Sequence, residues 1–191
     1  MSESKPTIDP YPLSTFTTLA GERNRDPILQ VFKTFFPKAG DALELASGSG
    51  AHINYFAQHF PGITFQPSDC DVTVFEIIRA NRARAGNTNV AEPLRIDLTE
   101  ADTWPKGERL YDVIFAINVF HLAAVSAADG FAEAFDKSLR EAGVAGWGLK
   151  DVRDIEKAAN NRGIVPKQRL DLPANNFMLV FQKPKTAAEL A

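Results

Sequence analysis

The sequence predicts an α/β protein built on a mostly parallel sheet with an antiparallel final strand. Three observations carry this. Short apolar runs alternate with helical apolar periodicity along most of the chain, the pattern of repeated βαβ units. Tyr111-Asp-Val-Ile-Phe-Ala-Ile117 is nearly all apolar, as a parallel strand buried on both faces must be. Ala42-Leu-Glu-Leu-Ala46, a short buried strand, runs directly into Ser47-Gly-Ser-Gly50, a glycine loop ahead of a helix.

The elements follow in order. Residues 1–19 hold Pro6, Pro10 and Pro12 among Ser and Thr and read as an extended arm. Asp26-Pro27 is a helix start, with Asp as cap and Pro at the first helical position. Ile28, Val31, Phe32 and Phe35 continue it at helical spacing until Pro37. After the glycine loop, Ile53, Phe56, Ala57 and Phe60 share one helical face, and Pro61-Gly62 breaks it. Ile63–Gln66 is the second strand, ending at Pro67-Ser-Asp69. Asp71 caps a third helix with Val74, Phe75 and Ile78 inward, and Gly86 ends it. Val90–Ile96 is the third strand, Thr99–Trp104 a short turn, and 111–117 the fourth strand. From Ala123 to Gly163 only helical patterning is legible, with a surface helix over 149–159. Val165–Leu172 and Phe177–Phe181 form a closing hairpin around Pro173-Ala-Asn-Asn176. One domain over 20–183 is expected, with a flexible tail at 184–191.

Composition narrows the function classes. With 45% apolar and 24% charged residues among 191, the chain has a globular make-up rather than a disordered one. Its net charge of −3 and lack of a Lys/Arg stripe disfavour nucleic acid as a partner. The single cysteine, Cys70, excludes an internal disulfide and a thiolate-rich zinc site, and acids beside it would raise its pKa. No secretory signal or apolar run of about 18 residues is present, so a reducing compartment, cytosol or nucleus, is expected. The 14 phenylalanines fall mostly at core spacing.

In parallel sheets of this kind ligands bind beyond the carboxyl ends of the strands. Gly48, Gly50, Asp69, Asp97 and Asn118 each follow a strand, so they should converge on one edge. A dinucleotide site would want a third small residue, but Ile53 stands there. Glu44-x-Ala46-x-Gly48-x-Gly50 instead fits the Glu-x-Gly-x-Gly-x-Gly motif of S-adenosylmethionine enzymes, with Ala46 at its first glycine. Glu44 offers a carboxylate to a cationic methionine-like group, and Ser47, Gly48 and Gly50 offer a loop a ligand can approach. The bland alternative is a tight strand–helix turn.

Asp69, placed 21 residues beyond Gly48, suits ribose hydroxyls, and Asp97 an adenine amine. Asn118 would orient the methyl acceptor, and His121 could serve as general base. His59 reads as surface, whereas His52 lies near enough to the loop to touch the ligand edge. No His and carboxylate positions show metal-ligand spacing.

Several blocks together resemble the methyltransferase-like protein 26 family. They are Glu22-Arg-Asn-Arg-Asp-Pro-Ile-Leu29, Leu43-Glu-Leu-Ala-Ser-Gly-Ser-Gly50 with His52, Gln66-Pro-Ser-Asp69 with Asp71, and Pro93-Leu-Arg-Ile-Asp97. Ile117-Asn118 with His121, Phe135-Asp-Lys-Ser-Leu-Arg140, Trp147-Gly-Leu-Lys-Asp151 and Pro173-Ala-Asn-Asn176 follow in order. The resemblance implies a Rossmann-like class I methyltransferase sheet, S-adenosylmethionine as cofactor, and Arg23 and Asn24 closing over the site, with Arg23 facing the ligand carboxylate. It implies no particular acceptor; the acidic balance favours a small molecule or a protein.

Against the family pattern, His121 and Phe135 are only 14 residues apart. About 40 residues are missing, more than a crossover and its strand require. The sheet is therefore expected to lack its usual fifth strand. That shortening also motivates the second reading, a non-catalytic S-adenosylmethionine-binding or scaffold protein that lost its acceptor site. A nucleotide-cofactor oxidoreductase is a weaker third.

Overall fold

A computed structural model describes residues 15–105, 110–117, 136, 139–148, 153–172 and 176–184. Helix α1 spans Thr15–Phe35, strand β1 Gly40–Leu45, α2 Ala51–Ala57, β2 Ile63–Asp69, α3 Phe75–Ala85 and β3 Leu94–Arg95. Strand β4 spans Tyr111–Ala116, β5 Leu139–Gly148, α4 Arg153–Asn160, β6 Val165–Leu172 and β7 Asn176–Gln182. They form a seven-stranded sheet in the order β3-β2-β1-β4-β5-β7-β6. The pairs from β3 through β5 are parallel, and β7 runs antiparallel between β5 and β6. The expected α/β sheet with an antiparallel final strand is what the chain forms.

The expected absence of a fifth strand is corrected. Leu139–Gly148 fills that slot, pairing in register with β4 (Ala116 opposite Trp147) and with β7 (Trp147 opposite Leu179). The stretch holds Gly143, Gly146 and Gly148, residues of low intrinsic strand preference, so no local pattern announces it. Pairing on both sides overrides that preference. The chain between Ile117 and Leu139 exceeds the dozen or so residues a parallel crossover needs.

Three further expectations change. Helix α1 starts at Thr15, inside the expected arm, and passes through Pro27. Pro27 withholds the N–H that the Arg23 carbonyl would accept, which is why Asp26-Pro27 reads as a boundary. The Asp26 carboxylate accepts instead from the Tyr55 hydroxyl. Second, β2 runs past Pro67 to Asp69, because Glu44 of β1 stays in register with Pro67. Third, β3 is only two residues long. Pro93 interrupts the ladder, leaving a single Phe65–Val90 bridge before Leu94.

The core sits on both faces of the sheet, as strand alternation dictates. Leu43 and Leu45 pack with Ile114, Ala116, Leu139, Leu179 and Phe181 on one face. Ala42, Val113 and Phe115 pack on the other against Ile28, Phe32, Ile53 and Phe56 of α1 and α2. Phe32 is fully buried, with its ring 4.8 Å from Phe56 and 5.0 Å from Phe115. Truncating it to Ala costs about 3–5 kcal/mol. This packing fixes α1 and α2 on the sheet and so holds the loop between β1 and α2.

Candidate functional site

The carboxyl ends of β1, β2 and β3 lie side by side, with Glu44 opposite Pro67 and Asp69 opposite Arg95. The loop after β1 takes the left-handed backbone at alternate residues, with φ 53° at Ala46, 53° at Gly48 and 69° at Gly50. Glycine adopts that region freely; an alanine there is strained by about 1–2 kcal/mol. The backbone thus treats residue 46 as the first glycine of the motif even though its side chain is a methyl. At Gly50 a Cβ would stand 3.1 Å from Asn54 Nδ2 and 3.3 Å from Ile78, so a side chain there is crowded as well as strained in its backbone.

Hydrogen bonds clamp the loop. The Ser47 amide donates to the Ser68 carbonyl at 2.7 Å, and the Ser68 hydroxyl donates to the Glu44 carbonyl at 2.7 Å. The Gly48 amide donates to Asp69 Oδ2 at 2.9 Å, and the Asp71 amide to Asp69 Oδ1 at 3.0 Å. Asp71 itself accepts from the Thr73 amide and caps the short turn leading into α3, as its sequence position suggests. Asn81 of α3 donates to the Ser49 carbonyl at 2.9 Å, a clamp no local sequence signal announces.

Glu44 is 2% exposed, and its Oε2 has no hydrogen-bond partner. Burial raises its carboxyl pKa to about 8, with the Ser47 hydroxyl pulling it down and the Asp69 charge pushing it up. Asp69 is 8% exposed. Asp97 follows β3; its Oδ1 accepts from the Thr99 amide at 2.9 Å and hydroxyl at 2.7 Å, which hold its pKa below the usual carboxylate range. Cys70 follows Asp69 at the end of β2 and is exposed. Its thiol pKa is raised, chiefly by burial and then by the Asp69 and Asp97 charges.

On the α1 side, His52 and Asn24 Oδ1 are 2.7 Å apart. Burial, and then the Arg25 charge, depress the His52 pKa to about 4, so the ring is neutral and its Nε2–H donates to that oxygen. Sequence reasoning placed His52 near the ligand edge but did not foresee this bond. Arg23 is exposed and makes no ion pair among the described residues. His59 is exposed, as expected.

The structure therefore brings Glu44, Ser47, Gly48, Gly50 and Asp69 into one bonded unit, with Asp97 on the adjoining strand end and Asn24 joined to α2. Asn118 and His121 lie outside the described residues. Among the described residues there is no group of three metal-ligating side chains, and no helix is long and apolar enough to cross a membrane.

Comparison with known proteins gives the same architecture. A methyltransferase from Pyrococcus furiosus superposes with a TM-score of 0.67 at 20% identity, over 84% of this chain and 83% of its own. The S-adenosylmethionine-dependent methyltransferase SibL, in its apo form, does so with a TM-score of 0.72 at 11% identity, over 88% of this chain and 57% of its own. The [4+2]-cyclase SpnF gives 0.73 at 10% identity, over 88% and 82%. At these identities the likeness establishes the methyltransferase fold, and the cyclase shows that the fold alone does not dictate the reaction. A family model described as a protein of unknown function (DUF938) matches residues 16–144 and 130–183, two pieces that share residues 130–144. With nearly all of the sheet inside that match, the chain belongs to the DUF938 family and carries the methyltransferase fold.

Proposed function

We propose that the protein is an S-adenosylmethionine-dependent methyltransferase, acting on a small-molecule or protein acceptor. The observation that carries this is Glu44, a buried carboxyl group with an unpartnered oxygen, at the strand end that opens into a left-handed glycine loop. A buried, unpaired carboxyl group is costly unless a cation or donor meets it. The ammonium of a methionine moiety is such a group, so the residues present fit the cofactor. The resemblance to the methyltransferase-like protein 26 family and the S-adenosylmethionine-dependent fold neighbour support the same reading.

In this reading Glu44 receives the ammonium, and Ser47, Gly48 and Gly50 frame the methionine moiety. Asp69 retains lone pairs beyond its two backbone donors and accepts the ribose hydroxyls. The Asp97 oxygen not engaged by Thr99 accepts from the adenine amine. Asn24, held by His52, and Arg23 stand on the α1 side, where Arg23 is free to meet a carboxylate. Asn118 and His121 are our proposed acceptor-side residues, positioning the nucleophile and taking its proton. When bound, the cofactor supplies the methyl group on a sulfonium; the protein's part is positioning and exclusion of water.

The second reading is a protein that binds the cofactor without methyl transfer. The cyclase on the same fold favours keeping it. A thermal-shift titration with S-adenosylmethionine, S-adenosylhomocysteine and NAD separates the readings. A ligand at 100 times its Kd adds about 2.7 kcal/mol, roughly 5–10 °C for a chain of this size. Shifts with the first two and not with NAD support the cofactor reading, and acceptor screening then decides catalysis. A cooperative melt that no ligand moves would sink it.

A further inference from the structure

We propose that the groove framed by α1, α2 and α3 is a second binding site, for a phosphate-bearing small molecule clasped between the guanidinium groups of Arg25 and Arg84. The groove has a volume of about 630 Å³, within the range of small-molecule sites. Arg25 comes from α1 and Arg84 from α3, and Tyr55 and Gln58 of the α2 region line the same groove. Among the described residues no Asp or Glu lines it, although the chain as a whole carries a net charge of −3.

The arginines of α3 show the contrast. Arg79 and Arg82 pair with Glu92 at 2.7 Å and 2.6 Å, and Arg79 also with Glu76. Arg84 and Arg25 pair with no carboxylate among the described residues. The Arg25 Nε is buried without an acceptor while its guanidinium lies 4.6 Å from the Tyr55 ring centroid. Its charge, after burial, helps to depress the pKa of His52. The acid beside it, Asp26, accepts from the Tyr55 hydroxyl.

Arg84 is steered rather than loose. Its Nη1 donates to Asn81 Oδ1 at 3.3 Å, and the Asn81 amide is itself anchored on the Ser49 carbonyl. The remaining Arg84 guanidinium N–H groups and the exposed Gln58 amide line the groove without an acceptor of their own among the described residues. Two forked cations match the charge and multiple oxygens of a phosphate dianion. A lone carboxylate would satisfy one fork and leave the other unpaired. Neither Glu44 nor Asp69 lines the groove, which meets the glycine loop at Ser49 alone.

The test is isothermal titration calorimetry of the full chain with inorganic phosphate and pyrophosphate at constant ionic strength, with acetate as the carboxylate comparison. Wild type and the remote control Lys167→Gln should bind both phosphates. Arg84→Gln, an exposed change, should weaken them about tenfold, the worth of a charge-assisted fork. Arg25→Gln should do the same, with a melt to confirm folding and Arg25→Lys as the milder variant. Equal binding by Arg84→Gln, acetate binding as tightly as phosphate, or no binding by wild type would each overturn the proposal.

Discussion

The Gly48 amide and the Asp71 amide share one carboxylate, that of Asp69, at 2.9 Å and 3.0 Å. A single side chain therefore sets the spacing between the glycine loop and the end of β2. Asp69→Ala would leave both N–H groups without that acceptor, at about 2–4 kcal/mol of stability. Urea unfolding measures this. In the proposed role the same variant also loses the thermal shift with S-adenosylhomocysteine, whereas a purely structural Asp69 would leave that shift in the folded fraction.

Glu44 and His52 make stability depend on pH in opposite ways. Glu44 is raised to about 8 in the folded state, so the folded protein holds the extra proton. Its contribution is fully present below the unfolded value of about 4.5 and is lost as pH rises toward 8, by at most about 1.4 kcal/mol per unit. His52 is lowered to about 4, so its contribution is present above about 6.5 and is lost as pH falls toward 4. The two slopes cancel between about 4.5 and 6.5, and Glu44 alone acts above that. Chemical denaturation across pH should show Glu44→Gln flattening the decline between pH 6.5 and 8. His52→Gln should let stability keep rising on acidification. If neither variant changes its slope, these shifts are misassigned.

The left-handed loop gives three substitutions with ordered signs. Ala46→Gly relieves about 1–2 kcal/mol of backbone strain and adds about 0.5–1 of unfolded-state entropy, so it should be neutral to slightly stabilising. Ala46→Val, β-branched in the same backbone, should lose about 1–3 kcal/mol. Gly50→Ala adds the same backbone strain to a crowded Cβ beside Ile78 and Asn54 and should lose at least as much. A melting series that ranks Val above Gly at position 46 would contradict the loop conformation.

Strand β5 should be indispensable. Ala145 pairs with Ile114 on one side and Phe181 on the other. Ala145→Pro removes a ladder hydrogen bond from a strand paired on both sides and should abolish cooperative unfolding, while Ala145→Ser should be tolerated. A folded, cooperative Ala145→Pro protein would restore the gapped sheet that the short interval between His121 and Phe135 suggested.

Several elements were legible locally because their causes are local. Gly86 ends α3 with φ 68° because only glycine adopts that backbone without strain, and Asp71 caps because its side chain reaches an amide two residues on. The glycine loop and the two acids after β2 and β3 were legible through spacing and the strand-end rule. Helix α1 begins before the boundary that Asp26-Pro27 suggests because the helix accommodates Pro27 at the loss of one backbone hydrogen bond. The bond from His52 to Asn24 crosses 28 residues, and the Asn81 clamp 32, and neither leaves a periodic trace.

The sequence by itself determined the alternation of strands and helices, the position of the loop and the types of side chain available there, because periodicity, glycine and proline act within a few residues. Only the tertiary structure decided that Leu139–Gly148 becomes a strand, that Glu44 is buried with a bare oxygen, and that Arg25 and Arg84 face one groove. Each of those depends on which surfaces are brought together. Burial sets the Glu44 pKa, partners on both sides make β5 a strand, and the packing of α1 and α3 against α2 brings two charges distant in sequence to one groove.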